Sequence, residues 1–183
     1  YTPRHKEMGE RFTTADGYNA SRKLLLARRL IEAGVRVVSV SFSDFDTHRR
    51  NFSRMRHLVP VVDHALATLV SDLHERGMLN DVTIVAWGEF GRSPKVNKDG
   101  GRDHWPRVSP AILAGGGMKV GQVIGATDKH AGEATARPVH YQDVMATLYQ
   151  NLGLPPRATT ITDITGRPQY LCDTGSPIRE LVG

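Results

Sequence analysis

Three short segments of this chain concentrate carboxylates and imidazoles. The first is Ser43-Asp44-Phe45-Asp46-Thr47-His48, the second Gly88-Glu89-Phe90-Gly91-Arg92, and the third Gly101-Arg102-Asp103-His104-Trp105. Oxygen anions with imidazole nitrogens are the donor mixture a divalent cation needs: carboxylates offset charge, and imidazoles give directional bonds. The spacing alone is weak evidence, because Asp-x-His and Asp-His arise often by chance. Asp46 could start a turn or cap the segment after it. His48 taken singly fits a surface histidine. Glu89 follows an apolar run directly, where a charge needs a partner or a cleft; its plain alternative is an ion pair with Arg92 or Arg102. Asp103 could serve only to orient His104 by accepting its ring proton.

Other chemistry-bearing residues fit simpler roles. His57, His64, His74 and Asp63 lie on one helical stretch and read as solvated or partly packed. Gly115-Gly116-Gly117 lacks the following Gly-Lys-Ser/Thr of a phosphate loop. Ser39, Ser41 and Ser43 lack a nucleophile elbow. Ser93 precedes Pro94 and reads as a turn residue.

The elements that must position these segments follow from periodicity. A helix from Asn19 or Ser21 carries Leu24, Leu25, Ala27, Leu30 and Ile31, with Gly34 as its left-handed C-cap. Val35-Arg36-Val37-Val38-Ser39-Val40-Ser41 has the β-branched composition of a buried strand. A second helix is predicted over about 58–76, with Pro60 in its first turn and Gly77 as its stop. Val82–Trp87 reads as another buried strand. Strand, helix, strand at this spacing predicts a parallel βαβ unit. Ala111–Ala114 is a third apolar run, Gly121–Gly125 an edge strand or hairpin arm, and about 140–151 a final helix. The last thirty residues read as an irregular wrap. In open parallel sheets, ligands bind beyond the carboxyl ends of the strands, and the three polar segments fall at such ends.

Whole-chain properties bound the options. A length of 183 residues suits one well-cored domain rather than two, with 1–18 as a linker or arm and 19–183 as domain. The chain opens at Tyr1 without Met and reads as part of a longer protein. No apolar run approaches the ~20 residues that span a bilayer. The formal charge of +5 raises nucleic acid as a partner, but the Arg and Lys residues are scattered and no aromatics interleave with them. Nucleic acid is therefore not expected. Cys172 is the sole cysteine, which excludes an internal disulfide and a thiolate cluster.

The three segments, extended to Gly88–Pro94 and Gly101–Pro106, resemble the bacterial "domain of unknown function 1501" family. So do Leu113–Gly121, Val123–Asp128 and Gly166-Arg167-Pro168, so the likeness runs from about Ala20 to the end. That family is similar to a distant branch of the alkaline phosphatase and sulfatase superfamily. The resemblance implies an α/β fold with a mostly parallel central sheet, helices on both faces, and a metal site above the strand ends. It implies that this chain is the C-terminal portion of such a domain. Asp46 and His48 would take the first ligand place, Glu89 the second and His104 the third, with Asp143 opening the helix after the last ligand. Three departures stand out: Gly-Glu-Phe replaces the usual Asp-His in the second place, Asp46 and His48 are two residues apart where the superfamily has a longer gap, and no counterpart of the superfamily's nucleophile or of its early metal-binding Asp is visible. Many relatives carry an export signal, which implies a periplasmic or extracellular setting.

The expectation is a metal-dependent hydrolase of phosphate or sulfate esters, or the C-terminal part of one. Asp46, His48, Glu89 and His104 would hold a divalent metal, zinc by preference. Arg92 and Arg102 would clamp the anionic ester, and Asp103 would orient His104. The alternative is a non-catalytic metal- or ligand-binding protein that keeps the fold without the nucleophile.

Overall fold

The computed structural model describes residues 21–182. The expected arm over 1–18 lies outside them. Element order is α1 (Arg22–Glu32), α2 (Asn51–Glu75), β1 (Thr83–Trp87), β2 (Gly91–Arg92), β3 (His104–Trp105), β4 (Ala111–Gly115), β5 (Ala126–Thr127), β6 (Ala134–Ala136), α3 (Tyr141–Asn151), β7 (Thr160–Thr162), β8 (Pro168–Tyr170) and α4 (Arg179–Val182). These residues group into two compact units. One holds the described chain up to Met78 together with Arg92–Pro106. The other holds Leu79–Gly91 and the chain from Arg107 on.

The first unit is built on α1 and α2. Leu58, Val61, Ala65, Leu69 and Leu73 are buried along one face of α2, the stripe that three- and four-residue steps produce. Leu24 and Arg28 are the buried residues of α1. A buried guanidinium must be paired, and Arg28 is: its Nε donates to Asp72 at 2.9 Å, and its Nη1 reaches Glu32. Arg76 closes the lattice, donating to Asp72 at 2.6 Å and to Glu32 at 3.0 Å. Four charges thus tie the two helices side by side. Gly34 follows α1 at φ +95°, the left-handed conformation its position predicts.

Helix α2 begins earlier than its apolar pattern predicts, at Asn51 rather than near 58. Its first turns, Asn51 to His57, carry little apolar stripe to betray them. Local bonds start the helix instead. The Asn51 backbone N–H donates to the Gly100 carbonyl at 2.9 Å, and the Thr47 hydroxyl donates to the Asn51 side-chain oxygen. Pro60 therefore sits in the helix interior rather than in its first turn.

The second unit packs a two-stranded ribbon on helices. β1 and β4 pair antiparallel, with Val85 opposite Leu113. These two side chains pack against a buried cluster of Met118, Val144, Ile178 and Leu181. Val144 comes from α3, whose start is fixed by Asp143 accepting the His140 N–H at 2.9 Å. The ribbons β5–β6 and β7–β8 are short and exposed.

The expected mostly parallel, alkaline-phosphatase-like sheet is overturned. Among the described residues the strands form four short two-stranded antiparallel pairs, and no extended central sheet exists. The run Val35–Ser41 forms no strand, and Val37 is 73% exposed. With that strand missing, α2 is not the crossover of a βαβ unit. A β-branched run signals fitness for a pleated, half-buried surface; it specifies neither a partner nor a direction. Gly121–Gly125 is likewise not a strand, and the last thirty residues are more regular than expected, carrying β7, β8 and α4.

Candidate metal centre

The site is built from two loops of the first unit. The loop before α2 supplies Asp46 and His48, and the segment entering β3 supplies Asp103 and His104. Backbone bonds clamp the loops together: Arg102 N–H donates to the Thr47 carbonyl at 3.0 Å, and Arg49 bridges to Gly100. The approach is close enough to demand glycine at 101. A Cβ there would stand 2.0 Å from the His48 carbonyl carbon and oxygen. The Asp46–His48 loop is also held at both ends by non-glycine residues in left-handed conformation, Asp44 at φ 72° and Arg50 at φ 49°. Such backbone costs free energy and persists only where surrounding bonds fix it.

Three ligand atoms converge. Asp46 Oδ1 lies 3.0 Å from His48 Nε2 and 2.9 Å from His104 Nε2, and the two Nε2 atoms are 3.1 Å apart. Their rings meet at 4.8 Å between centroids, tilted by 45°. Donors held at ~2.0–2.2 Å by one tetrahedral ion stand roughly 3.3 Å from one another, so this triangle is close to the footprint of a single metal. All three residues are exposed, Asp46 most of all with its side chain 64% accessible. The set is two imidazoles and one carboxylate, and it fits a divalent ion of zinc's class.

Electrostatics prepare the carboxylates. Arg92 donates a charge-assisted hydrogen bond to Asp46 Oδ1, and His104 adds another; together they hold the Asp46 carboxyl down at about 2. Asp103 is also held below the ordinary carboxylate range, first by the hydrogen bond with His48 and then by Asn97. Asp103 Oδ1 meets His48 Nδ1 at 2.9 Å. The carboxylate therefore orients His48, across the loop pair, where its place in the chain had suggested the adjacent His104.

The arginines brace the loops. Arg92 donates to the Phe45 carbonyl at 3.1 Å and the Arg102 carbonyl at 3.2 Å. Arg102 donates to the Ser93 and Pro94 carbonyls at 2.6 and 2.8 Å, and stacks over the Phe52 ring at 5.8 Å. Glu89 lies in the other unit, exposed in the turn after β1, and the ligand triangle consists of Asp46, His48 and His104.

Two further residues support the site: Ser93, expected as an exposed turn residue, and Asn97, which sequence reasoning did not single out. Ser93 is buried, and its hydroxyl accepts the Asp103 N–H at 3.0 Å while donating to the Lys95 carbonyl. Asn97 bonds to both loops, donating to Asp103 Oδ1 and to the His48 carbonyl. The only signal for Asn97 in the sequence is Asn-Lys-Asp-Gly, which reads as an ordinary turn.

No helix among the described residues is long and apolar enough to cross a membrane. No curated protein and no solved structure matches the chain. The profile of the family described as a protein of unknown function (DUF1501) matches residues 3–182, and the chain belongs to that family.

Proposed function

We propose that Asp46, His48 and His104 hold one divalent metal, with zinc the best fit, in a hydrolase of phosphate or sulfate esters or the C-terminal part of one. The observation that carries the metal reading is the triangle of Oδ1, Nε2 and Nε2 atoms with edges of 2.9 to 3.1 Å. A bound divalent ion would supply Lewis acidity toward an ester oxygen. The chain's own residues prepare that role. Arg92 keeps Asp46 anionic and stands beside the ligand oxygen, where a guanidinium can also meet an anion. Arg102 stiffens the loop that delivers His104. The kinship to the phosphatase and sulfatase superfamily is proposed at the level of ligand types alone, since the sheet is not shared. A periplasmic or extracellular setting belongs to the same proposal, and fractionating cells that make the full-length protein tests it.

One observation favours a second reading. The ligand side chains are between 45% and 64% exposed, an open setting in which water is not excluded. A metal-binding protein without turnover fits that exposure. The discriminating experiment is turnover of a broad phosphate and sulfate ester panel by the full-length protein, with and without chelator. Chelator-sensitive hydrolysis supports the enzyme; zinc uptake with no hydrolysis of any ester leaves the binding protein. Zinc uptake by His48→Ala/His104→Ala equal to that of the parent would sink the site assignment.

A further inference from the structure

The side chain of Asn97 has four polar contacts, and they point two ways. Its oxygen accepts the backbone N–H groups of Asp99 at 3.0 Å and Gly101 at 2.9 Å, which fixes the amide's orientation: the NH2 end must face the other side. There it donates to the His48 carbonyl at 3.0 Å and to Asp103 Oδ1 at 3.1 Å. The same Oδ1 meets His48 Nδ1 at 2.9 Å. An ionised carboxylate only accepts, and His48 faces one at each nitrogen. Asp46 Oδ1, 3.0 Å from Nε2, is already taken up by Arg92, whereas Asp103 Oδ1 is aimed at Nδ1, which favours a proton on Nδ1 and a lone pair on Nε2. That Nε2 is the atom facing Asp46 and His104.

We infer that Asn97 and Asp103 form a positioning relay for the metal centre, in which Asn97 aims the Asp103 carboxylate and Asp103 fixes His48 as the Nδ1–H tautomer with its Nε2 presented as a ligand. The inference deepens the metal reading and rests on it for its purpose, while the contacts that aim Asp103 at His48 exist without any ion. Asn97 holds both the backbone of His48 and the carboxylate that orients its ring. One side chain thereby sets where the imidazole starts and which nitrogen it offers. Neither residue touches the metal; both act through His48, as the outer partners of ligating histidines do.

The test uses the full chain labelled with 15N-histidine, in metal-free and zinc-loaded form. Long-range proton–nitrogen NMR under mildly alkaline conditions reads which His48 nitrogen carries the proton. Zinc titration reads affinity. The parent is expected to show Nδ1–H at His48. Asp103→Ala is expected to move His48 to a mixture of tautomers and to weaken zinc binding about 10- to 100-fold. Asn97→Ala is expected to shift both in the same direction by less. A purely structural role would lower the thermal midpoint and leave the His48 tautomer unchanged. The parent tautomer and parent affinity persisting in Asp103→Ala would overturn the relay; if Asn97→Ala fails to fold, Asp103→Ala decides alone. A parent protein with the Nδ1–H tautomer but no zinc uptake would overturn the metal reading and leave the relay standing.

Discussion

The core of the second unit and the site loops of the first hold together by different means. The unit with β1, β4 and α3 is organised by oil: Met118, Val144, Ile178 and Leu181 form a buried cluster with Val85 and Leu113 against it. The loops of the candidate metal centre are organised by directed bonds instead. Side chains of Asn97, Ser93, Arg92 and Arg102 are spent on backbone carbonyls and amides, around a glycine that nothing larger can replace. Apolar packing tolerates small adjustments of shape, whereas a hydrogen-bonded clamp fixes atoms to within tenths of an ångström. A ligand triangle needs the second kind of support.

That contrast can be broken by substitution. Gly101→Ala has the largest expected effect, because its Cβ would strike backbone rather than a movable side chain. The expected cost is about 3 kcal/mol in urea unfolding, with loss of zinc binding. An unchanged zinc isotherm in a folded Gly101→Ala protein would show that the clamp is dispensable. Leu181→Ala comes next. It should cost about 3 kcal/mol through lost burial and a cavity, and leave the zinc dissociation constant unchanged. A parallel loss of zinc affinity would erase the distinction between the units.

The buried face of α2 and the polar segments that bring Asp46, His48 and His104 together were legible in advance; the start of α2, the place of Glu89 and the sheet were not. Leu58 to Leu73 repeat at helical spacing, so α2 declares its buried face. Asp46, His48 and His104 belong to residue types with few other reasons to gather. By contrast, Val82–Trp87 and Ala111–Ala114 show strand composition, yet nothing in either run states that they pair with each other antiparallel. The Val35–Ser41 run shows the same composition and forms no ladder. Pairing is a property of two segments, and period-two patterns describe only one. Asn97 was hidden for a related reason: its contacts join residues six and forty-nine positions away.

Two smaller effects sharpen the comparison. His48→Ala/His104→Ala should abolish stoichiometric zinc binding, read by metal analysis, with a stability change within about 0.5 kcal/mol, as for exposed side chains. A large destabilisation would mean that the imidazoles serve the fold. The smallest effect lies at Glu180, in the packed unit. Arg137 donates two hydrogen bonds to this carboxylate, at 2.6 and 2.8 Å, and holds it down at about 2. A depressed carboxyl contributes stability above its unfolded value, near 4.5, and loses that contribution as pH falls toward about 2. Arg137→Gln should return the Glu180 titration, followed by carbon NMR, toward 4.5 and flatten the acid limb of the stability curve over that window.

Helix α2 invites a mechanical description. Its 25 residues make a beam about 37 Å long at ~1.5 Å per residue. One end is anchored at the metal loop through Asn51 and Thr47, and the other is bolted to α1 through Asp72. Pro60 interrupts the beam between these fixtures: it has no N–H for the Arg56 carbonyl, so the hydrogen-bond ladder has a missing rung there. A bending load applied at either end concentrates at that rung. The loop that carries Asp46 and His48 is thus joined to the paired part of α2 across the turn at Pro60, which lacks a backbone hydrogen bond.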